Sequence, residues 1–388
     1  MTSPNTSGRN LAIILGQSGL LLLAIVGLYA IVLTVTLALV PRQQAPAGMD
    51  TGHAASSLYL TEPKYVFLGR NALDTTTDKI IMAGASNVVV GFKQPQLQKL
   101  IPVAQVNNLG VGGSNITQVR EIVDLVQEVQ TPEARQHNTF VIGLWYGLFA
   151  DDEVRWNTPD RHAGDTDIDI ERYRYGFFRR GESGPVAMLP PRYLEIGTTL
   201  IHPYLVIDKW ARSATASLRQ RLAGKAPPRI TDEQRNAIVL TEAEKQRYLD
   251  FWADYMGHKP LGKQQFEVLQ RLIDDVVSNG GRVILVDLPL PAWHVERSPY
   301  FAEYQQQKRQ LFAALAHQPG VATVDMAGTF AGASLDDNFS DEVHPKPRVT
   351  QQWAQQLASA INSRRLSATR TLTQNAIQAT RASAHEAD

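Results

Sequence analysis

The sequence predicts an α/β protein built on a parallel sheet and preceded by a membrane anchor. Three observations carry that reading. Short apolar runs alternate with longer segments whose apolar residues recur at helical spacing, which is the pattern of successive βαβ units with right-handed crossovers. The first such run, Ile80-Ile81-Met82-Ala83, goes straight into Gly84-Ala85-Ser86-Asn87, as a buried strand does when it stops and turns into a helix. Residues 11–40 contain no charged side chain.

Composition sets the bounds. With 388 residues and a formal net charge of zero, the chain fits one large domain or two small ones. Lys and Arg are dispersed, so no basic face tracks phosphates and nucleic acid is not expected as a partner. The sequence has no cysteine, which removes disulfides, thiol catalysis and Cys-ligated zinc but leaves the compartment open.

Residues 1–10 read as a short tail and residues 11–40 as a transmembrane anchor, since at about 1.5 Å per residue the apolar run exceeds a bilayer core of roughly 30 Å. A cleaved signal peptide is the competing reading. Its apolar region is usually only about 7–15 residues long, and Ala45-Pro46-Ala47 is a poor cleavage site because of its proline. Arg9 and Arg42 nearly balance across the span, and the amino terminus tips the orientation towards a cytoplasmic tail and an exported body. Residues 41–75, rich in Pro, Gly, Ala, Ser and Thr, read as a juxtamembrane linker.

Lys79 to Ala83 is the first expected strand, Val103 to Leu109 the second, and Ile116 to Val129 the helix after it. Thr139 to Leu144 is the third strand. The rhythm then breaks, and residues 151–255 read as an irregular insertion folded over the sheet edge. It carries Pro190-Pro191, Pro227-Pro228 and the aromatic cluster Tyr173, Tyr175, Phe177 and Phe178, which argues against disorder. Regularity returns with a helix from Lys263 to Asn279 ended by Gly280-Gly281, a strand Arg282 to Asp287, a helix Pro299 to His317, a strand Val321 to Asp325 and a last helix Thr350 to Arg364. Residues 363–388 form a tail of helix-like composition.

Chemistry-bearing residues fall at the carboxyl ends of these strands, where ligands of open α/β sheets bind. Ser86 follows the first strand, either as a nucleophile or as an ordinary helix N-cap. The second strand empties into Asn108-Leu109-Gly110-Val111-Gly112-Gly113-Ser114-Asn115, whose backbone N–H groups suit a developing oxyanion. The third empties into Gly143-Leu144-Trp145-Tyr146-Gly147, and the fourth reaches His294, which either lines a site or simply packs. Far downstream, Asp341-Glu342-Val343-His344-Pro345 offers an acid and a base; with Ser86 these are the parts of a nucleophilic triad, which is defined by geometry and not by chain order. Asp151, Asp152 and Glu153 form an acidic loop open to a cation-binding or a solvated-turn reading. The remaining histidines lack metal-ligand spacing, and neither a metal nor a cofactor is expected.

This order of pieces resembles the SGNH (GDSL-type) hydrolase superfamily over residues 76–362, interrupted by the insertion. The resemblance implies a flavodoxin-like three-layer α/β/α sandwich and acyl transfer from an ester to water or another hydroxyl. It makes Ser86 the nucleophile, His344 the general base and Asp341 its orienting partner. The oxyanion would be held by backbone N–H groups at Ser86 and Gly113, with Asn87, Asn115, Trp145, Tyr146 and His294 as further oxyanion or substrate-binding candidates. One departure stands out: the third block normally carries Asn and Asp where this sequence has Trp145 and Tyr146. The loss of an oxyanion donor costs on the order of 100- to 1000-fold in rate unless another donor, such as Trp145 Nε1–H or a nearby Asn107 or Asn108, replaces it.

The anchor, the insertion and the altered third block are more similar to the branch that includes the D-alanyl transfer protein of teichoic-acid modification and SGNH-type exopolysaccharide O-acetyltransferases. That similarity implies a single-pass protein of the cytoplasmic membrane with its catalytic domain on the outer, periplasmic side. Its substrates would be an acyl donor and a cell-envelope or extracellular polysaccharide, and its partner a membrane-bound O-acyltransferase. A plain carbohydrate esterase and a catalytically retired glycan-binding or scaffold protein are the alternatives.

Overall fold

A computed structural model of the chain describes residues 6–40, 48–51, 66, 69–150, 173, 178–181, 184–188, 191–222, 230–329, 332 and 334–363. The acidic loop Asp151–Glu153, the aromatics Tyr175 and Phe177, Pro227-Pro228 and the tail from residue 364 lie outside these residues.

In chain order the elements are helix α1 (Thr6–Leu39), strand β1 (Lys79–Ala83), helices α2 (Ser86–Gly91) and α3 (Gln94–Leu100), and strand β2 (Gln105–Asn108). Helices α4 (Ile116–Glu128) and α5 (Pro132–Arg135), strand β3 (Asn138–Leu144), the antiparallel hairpin β4 (Phe178–Gly181) and β5 (Gly184–Ala187), and helices α6 (Pro191–Leu200) and α7 (His202–Leu222) follow. Then come α8 (Asp232–Asn236), α9 (Glu242–Tyr255), α10 (Lys263–Ser278), β6 (Arg282–Asp287), α11 (Ala292–Arg297), α12 (Pro299–Leu315), β7 (Val321–Asp325) and α13 (Met326–Thr329). The last helix, α14, covers residues 347–363.

These elements form two compact units. One comprises Met1–Gln44 with Tyr175–Pro227, the other Ala45–Arg174 with Pro228–Asp388. The stretch expected as one irregular insertion is thus shared between them, and its described part is mostly helical. Capping boxes at Thr231 with Gln234 and at Thr241 with Glu244 start α8 and α9, each satisfying two backbone donors that a helix end leaves unpaired. The helices escape a periodicity reading because neither buries a single residue fully.

In the larger unit five parallel strands lie in the order β2-β1-β3-β6-β7. All five residues of β1 and all seven of β3 are buried, which explains why they read as apolar runs and not as alternating patterns. Ile80, Met82, Val141, Ile284 and Val286 face a core completed by Val88 of α2, Phe92 at its C-cap and Leu97 of α3, and by Trp353, Leu357 and Ile361 of α14. On the other side α4 packs against β1, and α10 packs against α4 and β6. Their buried residues, Val119, Ile122, Val123 and Val126 in one and Leu269, Leu272, Ile273 and Val276 in the other, repeat at three and four positions as a helix with one inward face requires. The arrangement is consistent with an α/β sandwich.

The linker is less loose than its composition suggests. Met49 and Asp50 extend the sheet beyond the β2 edge: Asp50 bridges Asn108 in parallel, Asn108 N–H donates to Met49 O at 2.7 Å, and Thr51 Oγ1 donates to Gly110 O at 2.6 Å. An edge strand leaves a row of backbone groups unpaired, and this segment covers part of it.

In the smaller unit, α1 is long and apolar enough to span a membrane: Asn10–Leu39 is a 30-residue stretch with a mean hydropathy of 2.7 in its most apolar window. The helix itself starts at Thr6, inside the stretch expected as tail.

Candidate active site

The chain crosses from β1 out to β2 and then returns to the other side of β1 for β3, so the strand order reverses between β1 and β3. A crevice opens at the carboxyl ends of such a reversal, and Ser86 and Trp145 both sit there, one just past β1 and the other just past β3. Gly84 makes the first turn possible. Its φ of +146° disfavours any side chain, and a Cβ would fall 2.5 Å from Val88 Cγ2 and 3.0 Å from Gly143 O. The N-cap of α2 is Ala85, so Ser86 is its first helical residue and its hydroxyl is not spent on capping.

That hydroxyl instead lies 2.7 Å from His344 Nε2. His344 Nδ1 is 2.8 and 3.0 Å from the two carboxylate oxygens of Asp341. With Nδ1–H donating to Asp341, Nε2 of the neutral ring accepts from the Ser86 hydroxyl, which is the arrangement of a nucleophile, its base and an orienting acid. Ser86, Asp341 and His344 are therefore brought together from two ends of the chain.

Local backbone chemistry sets the Asp-x-x-His spacing. Asp341 Oδ1 accepts the N–H groups of Val343 at 3.0 Å and His344 at 2.8 Å, folding the segment into a tight turn. The turn is pinched at its base by the Phe339–Pro345 bridge, by Ser340 N–H to His344 O at 2.9 Å and by Lys346 N–H to Asn338 O at 2.7 Å. Burial works against the charged Asp341, yet the His344 contact and the two backbone donors outweigh it and hold its carboxyl below the usual range. For His344 burial disfavours the imidazolium, but the hydrogen bond and charge of Asp341, with a smaller contribution from Glu342, raise its pKa above 6.5.

The other candidates separate into two groups. Asn115 caps α4 in a box with Gln118, and its Nδ2 donates to Ala150 O at 3.3 Å, so its side chain is committed to structure. Asn108 ties β2 to α2 through Val88 O and Phe92 O, and Asn107 Oδ1 accepts Met49 N–H at 3.0 Å. His294 is fully buried and does not meet Ser86. Its Nδ1 lies 2.7 Å from Glu342 O and its Nε2 2.5 Å from the Tyr146 hydroxyl, so the ring donates at one nitrogen and accepts at the other. Burial pushes its pKa down to about 4, keeping it neutral, and burial raises that of Tyr146. Together they brace the turn that carries His344.

In the second group, the glycine turn stands beside Ser86. The Gly112 turn approaches Ser86 so closely that a side chain added there would stand 3.7 Å from Ser86 Cβ, and Gly113 follows in the same turn at φ +69°. Asn87 Nδ2 and Trp145 Nε1 are buried donors with no hydrogen-bond partner among the described residues. A buried donor left without an acceptor costs about 1–3 kcal/mol, so each is open to an acceptor from outside the described residues. Trp145 is held rigidly. Its ring covers Gly147, where any Cβ would fall 2.4 Å from ring atoms, and it meets Trp252 edge-on at 4.7 Å between centroids.

Trp252 and Glu342 belong to the site and escaped the sequence reading. Trp252 Nε1 donates to Glu342 Oε1 at 3.2 Å, bringing α9 against the His344 turn. Burial, and then the charge of Asp341, push the Glu342 carboxyl up to about 7. Only its place inside the Asp-x-x-His segment hints at this in the sequence. A cavity of about 340 Å³ at the ends of β6 and β7, lined by Asp287, Leu290, Lys308 and Asp325 among others, has none of the Ser86–His344–Asp341 group in its wall. Among the described residues no group of three or more His, Asp or Glu side chains is placed to hold a metal ion. No protein-family model matches this sequence, and no curated protein matches it significantly.

Proposed function

We propose that this chain is a membrane-anchored serine acyl-transfer enzyme of the SGNH (GDSL-type) kind, acting on acyl esters, acetyl foremost, of a cell-envelope or extracellular polysaccharide. The hydrogen-bonded run Ser86–His344–Asp341 at the carboxyl end of β1 carries the reading. The strand order supports it as well: counted within the sheet it is 2-1-3-4-5, the order of flavodoxin-like doubly wound folds.

Ser86 Oγ attacks the acyl carbonyl as His344 Nε2 takes its proton. The developing oxyanion is met by backbone N–H groups of Ser86 and the Gly112-Gly113 turn, with Trp145 Nε1–H in the place the resemblance gives to an Asn. The donor's C–O bond breaks, its oxygen receives the proton from His344, and the acyl group stays on Ser86. In the second half-reaction His344 takes a proton from water or a glycan hydroxyl, that oxygen attacks the acyl carbon, the bond from Ser86 Oγ to the acyl carbon breaks, and His344 returns the proton to Ser86 Oγ. Asp341 stays ionised throughout and stabilises the imidazolium. α1 anchors the enzyme, with the body exported and supplied with acyl groups by a membrane-bound O-acyltransferase.

A serine-directed fluorophosphonate and a chromogenic acetyl ester test the reading on the detergent-solubilised chain. The parent is labelled and turns over the ester; Ser86→Ala and His344→Ala each lose both, and the double variant is hardly worse than either alone because the residues act as one unit. Full turnover by Ser86→Ala would sink the mechanism. The second reading, a retired glycan-binding or scaffold domain, rests on Trp145 and Tyr146 standing at the Asn and Asp positions, and absence of label on the folded parent would select it.

A further inference from the structure

The smaller unit carries an apolar surface that none of its described residues covers. On α6 and α7 the side chains of Ile196, Leu200, Tyr204, Ile207, Trp210 and Leu218 are each 47–58% exposed. At about 100° per residue, Tyr204, Ile207, Trp210 and Leu218 fall within an arc of roughly 120° on α7. Leu205 and Val206, on other sides of the helix, are buried at 4% and 0% exposure. Lys209 and the Asp208–Arg212 pair also point away from the arc. An amphipathic helix with aromatic and aliphatic residues on one face and basic residues on another is the pattern of a helix lying in a membrane interface.

Its position beside α1 says what covers the arc. Residues 10–31 of α1 are exposed all round, and burial begins only at Val32, Leu33, Thr36 and Leu37. There the junction of α6 and α7 meets it: the Tyr29 hydroxyl donates to Leu200 O, and His202 Nε2 lies 2.8 Å from Val40 O, donating to a carbonyl that the end of α1 leaves unpaired. The 30-residue apolar stretch is roughly 45 Å long, about 15 Å more than a hydrocarbon core. The contacts from Tyr29 to Val40 span about that excess. They therefore stand at the depth of the headgroups and the outermost acyl carbons, where Tyr and Trp concentrate.

We propose that α6 and α7 lie in the interface of the bilayer that α1 crosses, on the side of its carboxyl end, with the arc centred on Ile207 buried in phospholipid. The inference rests on the reading of α1 as a membrane span, and the experiment separates the two. The chain has no cysteine, so single nitroxide labels can be placed by Tyr204→Cys, Ile207→Cys, Leu218→Cys and Lys209→Cys, with Leu21→Cys on α1 as the reference. The full chain is reconstituted in phosphatidylethanolamine and phosphatidylglycerol vesicles, and collision with oxygen is compared with collision with nickel ethylenediaminediacetate.

Labels at 204, 207 and 218 should meet oxygen more than the nickel complex, and the label at 209 the reverse. If the arc labels meet the nickel complex more while Leu21→Cys remains in lipid, the interfacial placement falls and the span stands. If Leu21→Cys also meets the nickel complex more, the span itself falls. Arc labels shielded from both reagents would mean that protein, such as a second copy of the chain, covers the face, which also overturns the proposal.

Discussion

Glu342→Gln tests the electrostatics of the site most directly. The carboxyl is 7% exposed and is pushed from 4.5 to about 7 by burial and then by Asp341. Below pH 4.5 the group is protonated in both folded and unfolded chains and has no pH-linked effect. Between pH 4.5 and 7 the unfolded chain gives up the proton and the folded chain keeps it, so rising pH favours unfolding; above about 7 the loss is complete and constant. At about 1.36 kcal/mol per pH unit, that displacement corresponds to ~3 kcal/mol. Glutamine keeps an oxygen for Trp252 Nε1–H and cannot ionise, so it escapes the loss. The variant should match the parent at pH 4.5 and melt roughly 6–12 °C higher at pH 8, at about 2–4 °C per kcal/mol for a unit of this size. Thermal melts of both proteins in detergent across that range decide the matter. A difference in Tm that does not change with pH, or a Gln variant less stable at pH 8, would show that the folded protein does not raise the pKa of Glu342 and refute the argument.

Three further outcomes follow from the geometry. Since His344 must be neutral to take the Ser86 proton and Asp341 raises its pKa, kcat/KM for an acetyl ester should climb with pH through a midpoint above 6.5, and Asp341→Asn should lower both that midpoint and the rate; a midpoint unmoved by Asp341→Asn would remove Asp341 from the relay. Trp145→Phe should lower kcat/KM by about 100- to 1000-fold without lowering Tm, because it removes an unpartnered buried donor and keeps most of the ring; unchanged kinetics would make Trp145 a wall of the site. Asp287→Ala should cost about 3–5 kcal/mol in denaturant melts, since it leaves Lys308, 5% exposed and paired with Asp287, as an unmatched buried charge; a loss under about 1 kcal/mol would mean that water reaches the pair.

Legibility in the sequence followed where each feature gets its stability. β6 and β7 could be bounded to the residue because Gly281 and Gly320 stand directly before them; β6 is buried except for Arg282, whereas β7, at the sheet edge, buries only Val324. The second strand came out shorter than its apolar pattern, for Val103 is 71% exposed in the turn before it. Helices α8 and α9 bury no residue fully and so show no stripe; the Thr-x-x-Gln and Thr-x-x-Glu capping boxes were the signal available for them. Pairing of Met49 and Asp50 with the β2 edge rests mainly on backbone hydrogen bonds, which impose no apolar period on so short a segment. Ser86, Asp341 and His344 were legible as residue types at strand ends. The commitment of Asn115 to a helix cap, the Trp252–Glu342 contact and the unpartnered Nε1 of Trp145 depend on which elements meet in space, and no spacing in the chain reports that.

The separation of 258 positions between Ser86 and its hydrogen-bond partner His344 also sets a schedule for the newborn chain. At roughly 5–20 residues per second, translation needs about 13–50 s to travel from one to the other. Throughout that interval the Ser86 hydroxyl lacks the imidazole that stands 2.7 Å from it in the folded protein. Because the Asp341–His344 turn closes only when Phe339 and Pro345 are both present, the Ser86–His344 contact forms in a late step, after all five strands of the sheet have been made; under the proposed function, reactivity arrives with it.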